Sequence, residues 1–390
     1  MYGFIEKRMK ALDITAQDLA AKLNISTSTI SRFLNGKNEL KFETLFELIQ
    51  FLFDEKEQPK VCKFYFLRLN NKRNIKCALE YFATNNGMNE VKNIAEREIE
   101  DATADLKELL YLYDLYCRMI CSKENVTSIV EEKNNNNATF RTLEAQAFLS
   151  VAKLYVGALV GNYQFIYAGK DDALKKVSQL EDGYFKTSLY NRVSELMIRT
   201  SLYYNDRTSA KKYIEGIQKN LTSYYYKAAA LYYSAKMDYM DSYDNSYECL
   251  KKALELCESI EAEEQIILIK DSGIPLLNLY YGKIENHCDI SSSPEYIQAY
   301  YYFNLGKVEK AKELVMQYPK LNSPFYHYAK GIIFDDINSY WLSFLTFKNQ
   351  GEIHHLDLPM DKLIEKGVPQ EAFDHVLSTR GKAISSSSFF

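Results

Sequence analysis

Thr27, Ser28, Ser31 and Arg32 bring three hydroxyls and one guanidinium onto one short stretch of chain. Thr27 with Ser31, and Ser28 with Arg32, are spaced i, i+4, so each pair stacks along one row of a helix, the two rows side by side. These groups donate and accept hydrogen bonds, and no general base or activated nucleophile stands beside them, so their chemistry is recognition. Gln17, Asn35 and Lys37 flank them with amide and ammonium donors suited to phosphate oxygens. Nothing catalytic appears elsewhere. There is no phosphate-cradling glycine loop, no nucleophile elbow and no H-E-x-x-H zinc pattern. Cys117 and Cys121 lie one helical turn apart, but no His or second Cys pair completes a tetrahedral set. His287-Cys288 and His354-His355 are immediate neighbours, which do not share a helix face. No enzyme activity, metal or cofactor is expected.

The elements that hold the polar face are legible from local pattern. Phe4, Ile5, Met9 and Leu12 have helical apolar spacing. Thr15 to Leu23 reads as a short helix, with Thr15 as cap and Asp18 at the capping-box position. Asn24 tolerates the left-handed conformation of a tight turn. Ser26 caps a second helix from Thr27 to Leu34, which Asn35-Gly36 ends, and Lys41 to Phe53 supplies another amphipathic helix. Gln17, Ala20, Asn24, Ile25, Ile30, Ser31 and the closing Arg32-Phe33-Leu34-Asn35-Gly36-Lys37 together resemble the phage-repressor type of helix-turn-helix. In that arrangement Leu19, Leu23, Ile30 and Leu34 form the small core. Thr27, Ser28, Ser31 and Arg32 face base edges in the major groove of double-stranded DNA, and Gln17, Asn35 and Lys37 hold phosphates. A Ser/Thr-rich reader with a single Arg lacks most bidentate contacts, so two copies on a symmetric operator are expected.

The rest of the chain reads as all-α. Only 7 prolines and 15 glycines interrupt 390 residues. The net charge is -4, so DNA affinity must come from a local basic patch. Residues 57–76 form a basic connector in which Lys60, Lys63, Arg68, Lys72 and Arg73 are candidates for the DNA backbone; an ordinary solvated helix face fits the same residues. A loose period near 34 residues follows. Small residues recur at Ala210, Ser246, Ala253, Ala311 and Ser343, where they allow close helix crossings. This looks like degenerate tetratricopeptide repeats, stacked as a right-handed superhelix whose inner surface holds an extended peptide or a partner. The 32 tyrosines suit such contacts, and equally suit packing between helices. The expected organisation is a helix-turn-helix domain over 1–56, the connector over 57–76, the repeat domain over 77–380 and a disordered tail over 381–390. Seven scattered cysteines read as reduced thiols of the cytoplasm, and no signal peptide or long apolar run points to a membrane.

Several stretches resemble the AimR-like arbitrium receptors of Bacillus phages: Lys76-Cys77-Ala78-Leu79-Glu80-Tyr81, Tyr190-Asn191-Arg192-Val193, Ala299-Tyr300-Tyr301-Tyr302, Phe325 to Gly331, and Asp357-Leu358-Pro359 through Gly367. The resemblance implies a homodimer joined partly through its C-terminal helices. It also implies operator binding in a bacterial host cell, controlled by a short signalling oligopeptide that tips lysis against lysogeny. Arg199, Tyr203, Tyr225, Lys236 and Gly351 stand at the family's peptide-gripping positions, with none of its own residues kept. Arg199, Tyr203, Lys227, Lys236 and Asn304 are the peptide-binding candidates, being polar groups on otherwise apolar helices; a cation among them suits a terminal carboxylate. A second reading is a helical-repeat interaction scaffold with a weak or vestigial DNA-binding module.

Overall fold

The computed structural model describes residues 3–121, 140–220, 222–283, 290–350, 352 and 355–378. Within these residues every regular element is helical. The four-asparagine run at 134–137, Gly351, His287-Cys288, His354 and the C-terminal tail lie outside the described residues.

The chain forms two compact units. The first comprises Met1–Thr200, Ala210–Tyr233 and Lys251–Ile266, and the second comprises Ser201–Ser209, Ser234–Leu250 and Ile267–Phe390. The first unit opens with four helices, α1 (Gly3–Ala11), α2 (Ala16–Lys22), α3 (Thr27–Leu34) and α4 (Phe42–Leu52). The local signals act as their chemistry requires. Thr15 and Asp18 close a reciprocal capping box, with the Asp18 amide donating to Thr15 Oγ1 at 3.2 Å and the Thr15 amide donating to Asp18 Oδ2 at 2.8 Å. The Thr15 hydroxyl and amide also hold the Asp18 carboxyl below its ordinary pKa. Asn24 takes φ 51° between the two helices, and Gly36 takes φ 69° after α3. The small core contains Leu19, Leu23 and Ile30 as expected, but its fourth member is Phe33, at 2% exposure, while Leu34 is only half-buried. Phe33 and Leu34 lie three and four residues after Ile30, so both border its face, and it is Phe33 that takes the interior position.

α4 is bound to the body of the unit. The Phe42 amide donates to Asn74 Oδ1 at 3.0 Å, and Asn74 Nδ2 donates to the Leu40 carbonyl at 2.9 Å. Glu39 accepts the amides of Asn70 and Asn71, and Glu43 accepts the Tyr184 amide at 2.9 Å. Phe42 packs on Phe66 and Tyr184 at 4.4 and 4.5 Å between ring centroids, and Phe46 packs on Tyr81 at 5.7 Å. Asn74 is 4% exposed, so Asn74→Ala strands two backbone groups out of reach of water. The expected loss is about 1–3 kcal/mol for each stranded group, read by thermal or denaturant unfolding. A variant as stable as the parent would refute this anchoring role.

Further along, an ion pair lies at the centre of the first unit. Arg192 and Glu80 are 1% and 0% exposed, with Nε to Oε1 at 2.8 Å and Nη2 to Oε2 at 3.0 Å. Ser188 Oγ and Tyr113 OH donate to the same carboxylate at 2.7 and 2.6 Å, and the guanidinium lies 4.6 Å from the Tyr116 ring centre. Burial is tolerated here because the carboxylate's acceptors are satisfied four times over. The first two stretches that carried the family resemblance meet at this pair.

The second unit has a core of Tyr328, Tyr340, Phe344, Phe347, Leu356, Leu358, Leu363 and Phe373. Helices Pro324–Phe334 and Ile337–Gln350 approach closely at Gly331, where a Cβ would meet the Tyr340 ring at 2.6 Å. His355 lies among the Tyr239, Phe325 and Phe347 rings, and burial holds its imidazole neutral, well below the ordinary pKa. The small residues singled out by the repeat pattern, Ala210, Ser246, Ala253, Ala311 and Ser343, are all 0% exposed. Ser246 and Ser343 also donate to the carbonyls of Ala235 and Pro324, across the crossings they permit.

Candidate functional site: a reading face and a cavity

α3 presents Thr27, Ser28, Ser31 and Arg32 to solvent, followed by Asn35 and Lys37, and Gln17 is exposed on α2. All seven DNA candidates are therefore accessible. Ser28 and Asn35 are also used locally. Ser28 Oγ lies 2.8 Å from Ser26 Oγ, and Asn35 Nδ2 donates to the Ser31 carbonyl at 2.8 Å, closing the end of α3. Arg32 forms no ion pair among the described residues.

The stretch 57–76, expected as a connector, contributes core. It contains the helix Gln58–Phe66 and the start of the helix Lys72–Thr84, and Cys62, Tyr65 and Phe66 are fully buried. Four of its cations face carboxylates. Lys63 pairs with Glu90 at 2.5 Å, Lys72 with Glu98 at 2.9 Å, Arg73 with Glu181 at 3.6 Å and Lys76 with Glu144 at 3.0 Å. Arg68 lies over the Phe64 ring at 4.0 Å, and Lys60 is exposed. The sequence showed the cations; the neutralising acids come from elements distant in the chain.

The first unit holds a cavity of about 750 Å³ that is partly open to solvent. Its wall includes Tyr81, Tyr116, Tyr155, Glu195, Arg199 and Tyr225. Arg199 Nη2 meets Glu195 Oε1 at 2.5 Å, and this carboxylate raises the guanidinium pKa well above its ordinary value. Desolvation pushes the Tyr225 hydroxyl up to about 12, so it stays a neutral donor. Tyr155 and Tyr226 share a hydrogen bond at 3.1 Å.

The five peptide candidates divide between the two units. Arg199 lines this cavity. Lys227, in the same unit, is ion-paired with Glu55. In the second unit Lys236 pairs with Glu352 at 3.4 Å, Tyr203 stacks edge-on against Tyr204, and Asn304 lines a smaller cavity of about 370 Å³ beside Tyr300 and Tyr340. Sequence reasoning missed Glu195. Its signal was a carboxylate in the run Val193-Ser194-Glu195-Leu196-Met197-Ile198, on a helix with apolar residues all around. Among the described residues no cluster of three or more His, Cys, Asp or Glu could hold a metal, and no helix is long and apolar enough to cross a membrane.

The family model for AimR transcriptional regulator-like proteins matches residues 58–365, and a helix-turn-helix model matches residues 5–53. The chain belongs to the AimR transcriptional regulator-like family. It is 22% identical over 340 residues to the AimR transcriptional regulator of Bacillus phage phi3T, covering 84% of this chain and 86% of that one. Its fold is that of a solved selenomethionine phAimR, with TM-score 0.76 and 19% identity over 96% of this chain and 99% of the other. A ligand-bound phAimR structure matches with TM-score 0.66 and 20% identity, over 85% and 98% of the two chains. This AimR-like chain is thus an all-helical transcriptional regulator with an N-terminal helix-turn-helix, and its family is one of regulators, not enzymes.

Proposed function

We propose that the chain is a peptide-gated operator-binding protein of a phage lysis–lysogeny switch. It acts as a homodimer in the cytoplasm of a bacterial host. Thr27, Ser28, Ser31 and Arg32 read base edges, and Gln17, Asn35 and Lys37 position the head on phosphates. A short oligopeptide enters the cavity that Arg199 and Tyr225 line, and the existence of a ligand-bound phAimR among the similar structures supports a ligand for this chain.

One observation carries the gating. Tyr81 lines the cavity, and its ring also packs on Phe42 and Phe46 of α4, at 6.4 and 5.7 Å, and on Phe66 at 4.8 Å. A ligand that favours one packing of these rings thereby favours one placement of the reading head. For dimer formation the helix Ile337–Gln350 offers an apolar face, with Leu342 48% and Leu345 39% exposed. Two heads held one DNA turn apart, about 34–36 Å, fit a symmetric operator.

The test uses an operator selected by the full chain from fragments of its own genome. Short peptides encoded beside its gene are titrated into the binding reaction. A gating peptide changes operator affinity by about 5–150-fold, equivalent to about 1–3 kcal/mol of coupling. Operator binding that no peptide alters, with unchanged quaternary state, would rule out gating and favour a constitutive regulator.

A further inference from the structure

Glu195 is 0% exposed. Its Oε1 accepts from Arg199 Nε at 2.6 Å and Nη2 at 2.5 Å, whereas its Oε2 has no hydrogen-bond donor among the described residues. A carboxylate oxygen removed from water and left without a donor is rare in folded proteins and calls for an explanation. Glu195 lines the 750 Å³ cavity, so a ligand there can supply the missing donor.

The cavity's charge favours a positive ligand group. Glu90, Glu195, Glu261, Glu263 and Glu264 line it against Lys60, Lys63 and Arg199, five carboxylates to three cations. Lys63 is already paired with Glu90. Arg199, expected as the anchor for a carboxylate, and Glu195 match one another's charge, so the excess of negative charge comes from Glu261, Glu263 and Glu264 against Lys60. The Tyr116, Tyr155 and Tyr225 side chains line the same space, and aromatic faces attract cations.

We propose that the cavity receives a cationic group of the peptide, an ammonium or guanidinium whose N–H donates to Glu195 Oε2. This rests on the peptide-receptor reading above and names the chemistry of that site. Two sources supply such a group, the peptide's amino terminus or a Lys or Arg side chain.

The experiment offers the full-length protein three equimolar random hexapeptide libraries. One has free amino termini, one is N-acetylated, and one is both acetylated and free of Lys and Arg. Retained peptides are counted by mass spectrometry after gel filtration. The third library should be retained at least about tenfold less than the first. Loss already on acetylation identifies the amino terminus as the cation, and loss only in the third library identifies a side chain. Glu195→Gln, whose circular dichroism melting confirms its fold, should lower retention of the first library by a similar factor, and the rim change Glu264→Gln should lower it less. Equal retention of all three libraries overturns the cation site and leaves the peptide receptor standing. Retention of none overturns both. Should Glu195→Gln not fold, the comparison of libraries on the parent protein decides alone.

Discussion

Glu80→Ala lowers the unfolding free energy of the first unit by about 3–5 kcal/mol. The change leaves the Arg192 guanidinium 1% exposed with its carboxylate gone, and it deprives Ser188 and Tyr113 of their acceptor. Most of that cost is the isolated buried charge, more than the attraction within the pair. The double change Glu80→Leu with Arg192→Met therefore recovers much of the loss, since an apolar pair of similar size carries no desolvation penalty. The readout is far-UV circular dichroism during denaturant unfolding. Tryptophan fluorescence would mislead, because the single tryptophan, Trp341, belongs to the second unit. A double variant no more stable than Glu80→Ala would show that the stabilisation comes from shape and not from charge pairing.

Arg32→Ala gives the opposite profile, with folding intact and recognition lost. Arg32 is exposed and makes no internal ion pair among the described residues, so stability should change by less than about 0.5 kcal/mol. Specific operator binding should weaken by roughly 1–3 kcal/mol per half-site, the value of one bidentate contact to guanine. Lys37→Ala should act differently, weakening all DNA sequences alike and reducing the salt dependence by about one counterion. Operator binding by Arg32→Ala equal to that of the parent would remove α3 as the reader and return the head to the vestigial module of the scaffold reading.

These two expectations differ in how visible they were in the amino-acid string. The reading face depends on caps and turns a few residues apart, Thr15 with Asp18, Asn24, Ser26 and Gly36, so nearest-neighbour chemistry was enough to place it. Even the slip from Phe33 to Leu34 is one residue of helix phase. The small residues of the repeat were legible because only their size matters at a crossing. The Glu80–Arg192 pair joins residues 112 positions apart, and nothing local marks either as buried except apolar neighbours. The same blindness applies to the cations of 57–76, whose partners Glu90, Glu98, Glu144 and Glu181 lie far along the chain. The cavity was half seen. Arg199 stands out in the sequence by its charge, whereas Glu195, which matches that charge one helical turn earlier, sits among the apolar Val193, Leu196, Met197 and Ile198.

The bonds that tie α4 to the body have a consequence for how such regulators diversify. A head whose Phe42 and Phe46 lie in the aromatic core of a larger unit is not a portable cassette. Swapping it between relatives would exchange half of a shared interior. A lineage that must recognise a new operator has a less disruptive route in the outward residues of α3, which touch little else. Change in DNA specificity is therefore expected to accumulate at Thr27, Ser28, Ser31 and Arg32, while the inward side of α4 evolves in step with the helices it faces.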